Sequence, residues 1–324
     1  MAELSHRESA IELEDVRKEF AVRVKAGRLR RERKRVQAVD GISFTIERGS
    51  IVGYLGPNGA GKSTTVKMLT GILVPSGGRI RVAGLDPSRQ RVELARRIGV
   101  VFGQRVQLWW DLPLRDSFEL LRHMYRIPLD RYRANLERFS DVLSLGPFLD
   151  TPVRQLSLGQ RMRGELTASL LHDPEIVFLD EPTIGLDIVA KAAVREFLAE
   201  MNRERGVTVL LTTHDLADIE RLCSRLIVVD HGHVIWDGGL DELKRRYGQE
   251  RVLVVDLEES GPALEVPGAR VIKIDGPRQW LAFRRDETSA AELTAAVAAQ
   301  ARILDLAIEE TEIEEIVRGI YAAG

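Results

Sequence analysis

Residues 56–64 of this 324-residue chain read GPNGAGKST, and no other feature of the sequence restricts the fold as strongly. They follow an apolar run at residues 50–55 that lacks polar alternation, and they precede a helix predicted to begin near Lys62. Glycines in such a loop let the main chain wrap around phosphate, so that N–H groups and the helix N-terminus face the negative charge. Because strand-like and helical stretches alternate over the first 240 residues, we predict a mostly parallel sheet covered by helices.

The loop itself supplies most of the predicted nucleotide contacts. Lys62 places a positive charge at the β- and γ-phosphates, and the Ser63 hydroxyl is suited to hold Mg²⁺. The predicted phosphate-binding residues are Gly56, Pro57, Asn58, Gly59, Ala60, Gly61, Lys62, Ser63 and Thr64. We therefore expect ATP and Mg²⁺ as cofactors.

A second group of residues supplies the acids that such chemistry needs. Residues 176–182 read IVFLDEP, an apolar strand that ends in Asp180 at the edge of the sheet. Asp180 is suited to bind Mg²⁺ directly or through water, and Glu181 to polarise the water that attacks the γ-phosphate. Two solvated acids at a strand end are the alternative, and the neighbouring phosphate loop favours the catalytic interpretation.

With these motifs in order, the chain resembles the ATP-binding cassette (ABC) family. Residues 156–160, LSLGQ, are similar to the family signature, whose usual form is LSGGQ, about twenty residues before Asp180. The resemblance implies that Ser157, Gly159 and Gln160 contact nucleotide. Leu158 departs from the family pattern because it replaces a glycine, so the loop loses conformational freedom while its N–H group is kept.

Four further positions are similar to family motifs. The resemblance implies that Gln104 is the Q-loop glutamine that senses Mg²⁺, that Asp187 belongs to the D-loop, and that His214 is the switch histidine at the γ-phosphate. Phe20 is similar in position to the aromatic residue that stacks on adenine, and simple core packing is its alternative.

The resemblance also implies a domain plan. Residues 1–240 are expected to form the nucleotide-binding domain, a P-loop NTPase with a RecA-like core, a β-subdomain and a helical subdomain at about residues 105–165. Strands are expected at residues 11–16 and 39–46, among others, and helices between residues 114 and 145. In that helical stretch the apolar side chains recur at helical spacing, at Leu120, Leu121, Met124 and Ile127.

The pattern of predicted strands and helices changes after Gly248. Three strands, at residues 252–257, 270–274 and 280–284, and two helices, at residues 289–301 and 313–321, predict a small accessory α+β domain at residues 249–324. The expected boundary lies near residues 245–250. This domain contains no catalytic constellation, so we interpret it as a dimer-stabilising or regulatory domain.

Several features bear on the class of ABC protein. No stretch approaches the ~20 apolar residues of a membrane helix, and the N-terminus has no apolar core of a signal peptide. Cys223 is the only cysteine, so a reducing cytoplasm is the expected compartment. The compact single cassette lacks the coiled coil of chromosome-type members and the zinc cysteines of repair enzymes. The runs GPNGAGKSTTVKMLTGIL and DEPTIGLD are similar to those of bacterial exporter ATPase subunits.

That similarity implies partners. Separately encoded transmembrane permease subunits would hold the chain at the cytoplasmic face of the membrane, and a second copy of the chain would complete an ATP-sandwich homodimer. Trp109 and Trp110 follow Gln104 and are expected either to face the permease or to be buried between helices. A soluble ABC ATPase that acts on a nucleoprotein complex remains the alternative function.

Residues 21–35 carry eight basic side chains and one acid. Because they fall between two predicted strands, they are expected to project as a loop or hairpin. A solvated insertion is one interpretation; contact with anionic lipid or with acidic permease loops is the other. Nucleic acid is a third ligand for such a run and is not the expected partner.

Overall fold

The computed structural model describes residues 9–25, 31–103, 106–213, 215–248, 250–284, 286–310 and 313–323. It forms two compact units, which divide between Asp237 and Gly238. This division comes before the boundary expected near residues 245–250, because a helix at Leu240–Tyr247 packs against a helix at Ile313–Ala323.

The first unit alternates strands and helices. In chain order the elements are β1 (Ser9–Lys25), β2 (Arg31–Glu47), β3 (Ile51–Leu55), α1 (Lys62–Leu69), β4 (Gly77–Val82), α2 (Arg91–Ala95), β5 (Ile98–Phe102), α3 (Leu114–Tyr125), α4 (Leu129–Val142), α5 (Leu158–Leu170), β6 (Ile176–Asp180), α6 (Ile188–Arg205), β7 (Thr208–Thr212), α7 (Leu216–Leu222), β8 (Arg225–Asp230) and β9 (His233–Gly239).

A six-stranded sheet in the order β5-β6-β7-β3-β8-β9 forms the centre of this unit. The pairs from β5 to β8 are parallel. All five residues of β3 and of β7 are buried, which explains why these strands read as uninterrupted apolar runs. The mixed α/β architecture predicted from the sequence is therefore confirmed, and the phosphate-loop strand β3 lies two places from the acid-bearing strand β6.

A second, antiparallel sheet has the order β2-β1-β4. Strand β4 was not predicted, and β1 and β2 are longer than expected because their pairing continues out to Lys25 and Arg31. The described part of the basic segment is thus the outer end of a hairpin, which is one of the two expected forms. Within it, Lys34 and Arg35 are exposed, and Arg35 lies 3.6 Å from the Glu19 carboxylate.

The helices predicted between residues 114 and 145 are α3 and α4, separated as expected before Pro128, which caps α4. Of the apolar side chains at helical spacing, Leu121 and Ile127 are buried, whereas Leu120 is 38% and Met124 is 64% exposed. The buried apolar side chains of α3 are Leu114, Phe118 and Leu121.

The second unit contains α8 (Leu240–Tyr247), β10 (Glu250–Leu257), β11 (Ala269–Asp275), β12 (Arg278–Arg284), α9 (Ala290–Ala298), β13 (Ile303–Glu310) and α10 (Ile313–Ala323). Its antiparallel sheet has the order β11-β12-β10-β13. Leu293 and Val297 of α9 pack on this sheet. The sequence predicted three strands and missed β13, because this edge strand is exposed along most of its length. Helix α8 was also missed.

Within the described ranges, no helix combines the length and the hydropathy needed to cross a lipid bilayer.

Candidate nucleotide site

The loop between β3 and α1 is packed so closely that two of its glycines have no room for a side chain. Gly61 has a φ of 100°, and a Cβ at this position would overlap the carbonyl oxygen of Ala38. A Cβ on Gly56 would overlap the carbonyl oxygen of Val229. The buried Thr65 donates its hydroxyl to Gly61 O at 3.1 Å. Packing therefore holds the main chain of the loop in place, at the N-terminus of α1.

Lys62, the first residue of α1, folds back onto this loop. Its Nζ donates to Gly56 O at 2.5 Å and to Pro57 O at 3.1 Å. Burial lowers the pKa of Lys62, while the nearby carboxylates of Glu181 and Asp180 act in the opposite direction. A phosphate would form charge-assisted hydrogen bonds with the same ammonium group and would compete with the two carbonyl oxygens.

Asp180 ends β6 between two neighbouring strands. The register places it beside Phe102 of β5 and Thr212 of β7. The Thr212 hydroxyl donates to Asp180 Oδ1 at 2.5 Å, which orients the carboxylate. Asp180 and Ser63 line the same cleft. A carboxylate and a hydroxyl beside bound phosphates are the oxygen ligands that Mg²⁺ prefers, so the residues present fit this ion.

Glu181 has a left-handed main-chain conformation, with a φ of 56°. Its N–H donates to Thr212 O at 2.9 Å. On the other side the chain approaches closely at Gly103, where a Cβ would lie 2.8 Å from Asp180 O and 3.1 Å from Glu181 Cβ. Conformations of this kind cost about 1–3 kcal/mol and persist where the surroundings enforce them, often at active sites.

These segments border one cleft of about 500 Å³. Nine of the predicted residues line it: Pro57, Asn58, Gly59, Gly61, Lys62, Ser63, Thr64, Asp180 and Glu181. Five residues that the sequence did not single out line it as well: Ala38, Lys67, Phe102, Gly103 and Ile184. Gly56 and Ala60 are buried in the loop behind the lining residues.

Some of the missed residues had a signal in the sequence. Lys67 follows Ser63 by four positions on α1, a spacing that places both side chains on one face of the helix. Thr212 had no such signal, because its contact with Asp180 depends on β6 and β7 being neighbours in the sheet.

The predicted signature and D-loop residues do not line this cleft. Ser157 caps α5 by accepting from Gln160 N at 3.2 Å, and the Gln160 side chain accepts from Ser157 N at 2.9 Å. Asp187 caps α6 in the same way by accepting from Ala190 N at 2.7 Å. Gln160 and Asp187 thus have local structural roles in this chain, while Ser157 remains exposed.

Of the three remaining predicted site residues, the structure describes only Phe20. Phe20 is half-buried on β1 opposite Val36, with Lys18 Nζ 5.3 Å from its ring centroid, and it is not among the cleft-lining residues. Gln104 and His214 lie outside the described residues.

Comparison with known proteins gives one consistent result. A family model described as ABC transporter matches residues 39–184. The chain is 35% identical over 224 residues to the ABC transporter ATP-binding protein NatA of Bacillus subtilis (strain 168), covering 69% of this chain and 89% of that protein. It is 41% identical over 225 residues to the daunorubicin resistance ATP-binding protein DrrA3 of Streptomyces coeruleorubidus, covering 69% and 70%.

Among solved structures, a dimeric ATP-binding cassette in a post-hydrolysis state, bound to ADP and Pi, is similar with a TM-score of 0.61 and 26% identity. The match covers 71% of this chain and 98% of that one. Because the sequence over 69% of the chain and the fold of its cassette agree with one family, this protein is a member of the ABC transporter ATP-binding proteins and an ATPase.

Proposed function

We propose that this ATPase drives an exporter, working as a head-to-tail homodimer that binds two MgATP molecules and moves separately encoded membrane subunits. The observation that carries the proposal is an incomplete site. Lys62, Asp180 and Glu181 border one cleft, whereas Ser157 is exposed at the start of α5 and outside it. A second copy of the chain would bring its own Ser157 and Gly159 to the open side of the cleft.

Each cleft residue has a role in this proposal. Lys62 would exchange its bonds to the loop carbonyl oxygens for bonds to phosphate. Ser63 and Asp180 would hold Mg²⁺, which shields the charge that develops on the phosphates. Glu181, whose main chain is held by Thr212 and by the close approach of Gly103, would accept the proton of the attacking water.

The membrane partner is inferred from exposed apolar side chains between residues 106 and 124. Trp109 is 36% and Trp110 is 50% exposed, so the alternative of full burial does not apply to this pair. Val106, Leu120 and Met124 are also exposed. Large aromatic side chains of this kind are typical anchors of protein interfaces. We propose that this segment docks on the permease at the cytoplasmic face of the membrane.

The direction of transport rests on the relatives. The daunorubicin-resistance name of one relative supports outward transport, since expulsion of a toxic compound confers resistance. The relatives are named as transporter proteins, and these names also favour a transport function over the alternative, the remodelling of a nucleoprotein complex.

Sedimentation velocity of a Glu181→Gln variant tests the proposal. With MgATP the variant should bind nucleotide, stop turning it over and sediment as a dimer, whereas without nucleotide it should be a monomer. Loss of a general base typically lowers the rate by about 10²–10⁴-fold. Glu137→Gln, at an exposed position on α4, is the matched control and should retain turnover.

A monomer at saturating MgATP, even with the membrane partner present, would contradict the sandwich. Normal phosphate release from Glu181→Gln would remove Glu181 from the mechanism. For the partner, polytopic membrane proteins encoded beside this gene are the candidates, and each should co-purify with the chain after co-expression.

A further inference from the structure

Glu165 is an acidic side chain that the nucleotide site does not use, yet it is only 4% exposed. It lies on α5, two turns after the exposed Ser157 that caps this helix. Burial raises the pKa of Glu165 to about 7, and the charged neighbour that opposes the shift is Arg161, one turn earlier on the same helix. A buried acid of this kind needs partners to be stable in the fold.

Its partners are main-chain N–H groups of the segment that precedes α3. Gln107 N donates to Glu165 Oε1 at 3.0 Å and to Oε2 at 3.3 Å, and Leu108 N donates to Oε1 at 3.4 Å. The Gln107 side chain adds a link, because its Nε2 donates to Glu165 O at 3.3 Å and to Val100 O of β5 at 3.2 Å. One carboxylate thus fastens two consecutive residues of this segment to α5.

Close packing and further bonds support this attachment. Next to Glu165, Gly164 lets α5 approach the segment, since a Cβ there would lie 3.2 Å from Leu108 Cδ1 and 2.8 Å from Leu114 Cδ1. One turn before Glu165 on α5, the Arg161 guanidinium lies 5.9 Å from the ring centroid of Trp110.

The main chain of the tryptophan pair is also bonded to its surroundings. Trp110 O accepts from Arg154 N at 2.9 Å, and Trp109 N donates to Ser117 Oγ at 3.3 Å. The two exposed rings therefore project from main chain that is held on several sides, which is the arrangement of a rigid anchor rather than of a loose loop.

We propose that Glu165 is a positioning residue that fastens residues 107–110, and with them the Trp109–Trp110 pair, to the helix that carries Ser157. The proposal rests on the proposed function, in which Ser157 meets the nucleotide of the partner copy and the tryptophan pair meets the membrane subunit. Under that function, a displacement of α5 on nucleotide binding is transmitted to the tryptophans through the Glu165 carboxylate.

Amide hydrogen exchange of the nucleotide-free chain tests the attachment. In Glu165→Ala, peptides covering residues 106–110 should exchange about tenfold to a hundredfold faster than in the parent, because the N–H groups of Gln107 and Leu108 lose their acceptor. Glu165→Gln keeps one acceptor oxygen and should show a smaller increase. Glu137→Gln is the control and should leave this peptide unchanged. Unchanged exchange of residues 106–110 in both Glu165 variants would overturn the proposal.

Fluorine NMR of protein labelled with 5-fluorotryptophan tests the transmission, in a Glu181→Gln background that retains nucleotide. Trp109→Phe and Trp110→Phe assign the two resonances. MgATP should shift both resonances in the parent, and these shifts should shrink by at least half in Glu165→Gln at equal nucleotide occupancy. If Glu165 only stabilised the fold, Glu165→Gln would lower the thermal stability, but at equal nucleotide occupancy its fluorine shifts would equal those of the parent.

The outcomes distinguish the positioning role from the proposed function. Equal shifts with and without the Glu165 substitution would overturn the positioning role while the proposed function stands. If the parent fails to dimerise with MgATP, the proposed function fails, and the exchange experiment still decides whether Glu165 holds the segment. If Glu165→Ala does not fold, Glu165→Gln carries both measurements.

Discussion

The side chain of Leu158 lies directly over Gly185 of the same chain. A Cβ built on Gly185 would overlap Leu158 Cδ2 and would come within 2.8 Å of its Cγ. Gly185 also has a φ of 71°, so a side chain at this position would be strained in two ways. Leu158 replaces a glycine of the predicted signature, and the absence of a side chain at Gly185 provides the space for it.

Gly185→Ala should therefore be more destabilising than its backbone conformation alone explains. Gly84→Ala is the matched control, because Gly84 has a φ of 77° and no atom lies within 4 Å of the position that a Cβ would take there. Overpacking should lower the free energy of unfolding by about 1–3 kcal/mol beyond the control. Adding Leu158→Ala to Gly185→Ala should recover most of that difference in urea titrations. Strictly additive effects of the two substitutions would show that the side chains do not interact.

A buried ion pair stabilises the turn that follows Glu181. Asp218 of α7 is fully buried; it accepts from Thr183 Oγ1 at 2.5 Å and from Arg195 Nε of α6. Asp218→Ala would leave Arg195 with only the more exposed Asp215, 3.6 Å away, and would remove the acceptor of Thr183, so it should lower the free energy of unfolding by about 3 kcal/mol. Glu196→Ala, at an exposed position on α6, should change it little. A loss below about 1 kcal/mol for Asp218→Ala in chemical denaturation would contradict this assignment.

Glu165 predicts a pH dependence of stability. Its pKa is raised from the ordinary 4.5 to about 7, so the folded chain binds this proton more tightly than the unfolded chain. The contribution of Glu165 to the free energy of unfolding is therefore greatest below pH 4.5 and is lost as the pH rises through 7. Glu165→Gln has no carboxyl group to titrate, so this contribution is absent from the variant.

The free energy of unfolding of Glu165→Gln relative to the parent should consequently increase between about pH 5 and pH 8, by on the order of 2 kcal/mol. Urea titrations across this range measure the difference. The difference in free energy of unfolding between Glu137→Gln and the parent should not vary with pH. A Glu165→Gln difference that does not vary with pH would mean that the carboxyl titrates at its ordinary value.

The basic segment at residues 21–35 predicts salt-dependent binding to anionic lipid. Each basic residue near an anionic surface contributes about 1 kcal/mol, so replacing five of them by glutamine should weaken binding to anionic vesicles by more than about a hundredfold. The substituted residues are Arg23, Lys25, Arg28, Arg30 and Arg31. Vesicle co-sedimentation at low and at physiological salt measures the change.

A control with the same loss of charge separates a specific effect of this segment from a general charge effect. Its five glutamine substitutions are at exposed arginines elsewhere: Arg89, Arg91, Arg96, Arg133 and Arg203. The control should bind anionic vesicles nearly as well as the parent. If the variant of this segment and the control lose binding equally, the segment is not a specific lipid contact. Retained vesicle binding by the segment variant would exclude lipid contact altogether. If the segment variant loses binding to DNA but keeps binding to vesicles, the nucleic-acid alternative is favoured.

The phosphate loop and the acidic strand were determined by the sequence itself. Their chemistry lies in contiguous residues, so Lys62, Ser63, Asp180 and Glu181 could be placed before any contact was known, and all four line one cleft. The parallel sheet followed from the same local signal, because strands buried on both faces are continuous apolar runs.

The remaining features depend on contacts between residues that are distant in the sequence, and only the tertiary structure decided them. Thr212 orients Asp180 because β7 lies beside β6, and Gly103 is required because Glu181 lies opposite it. Edge strand β13 has little buried surface, so the hydrophobic pattern that marks other strands is weak in it. Glu165 reads as one more surface acid, and only the packing of α5 against residues 107–108 shows that it is buried and bonded to main-chain N–H groups.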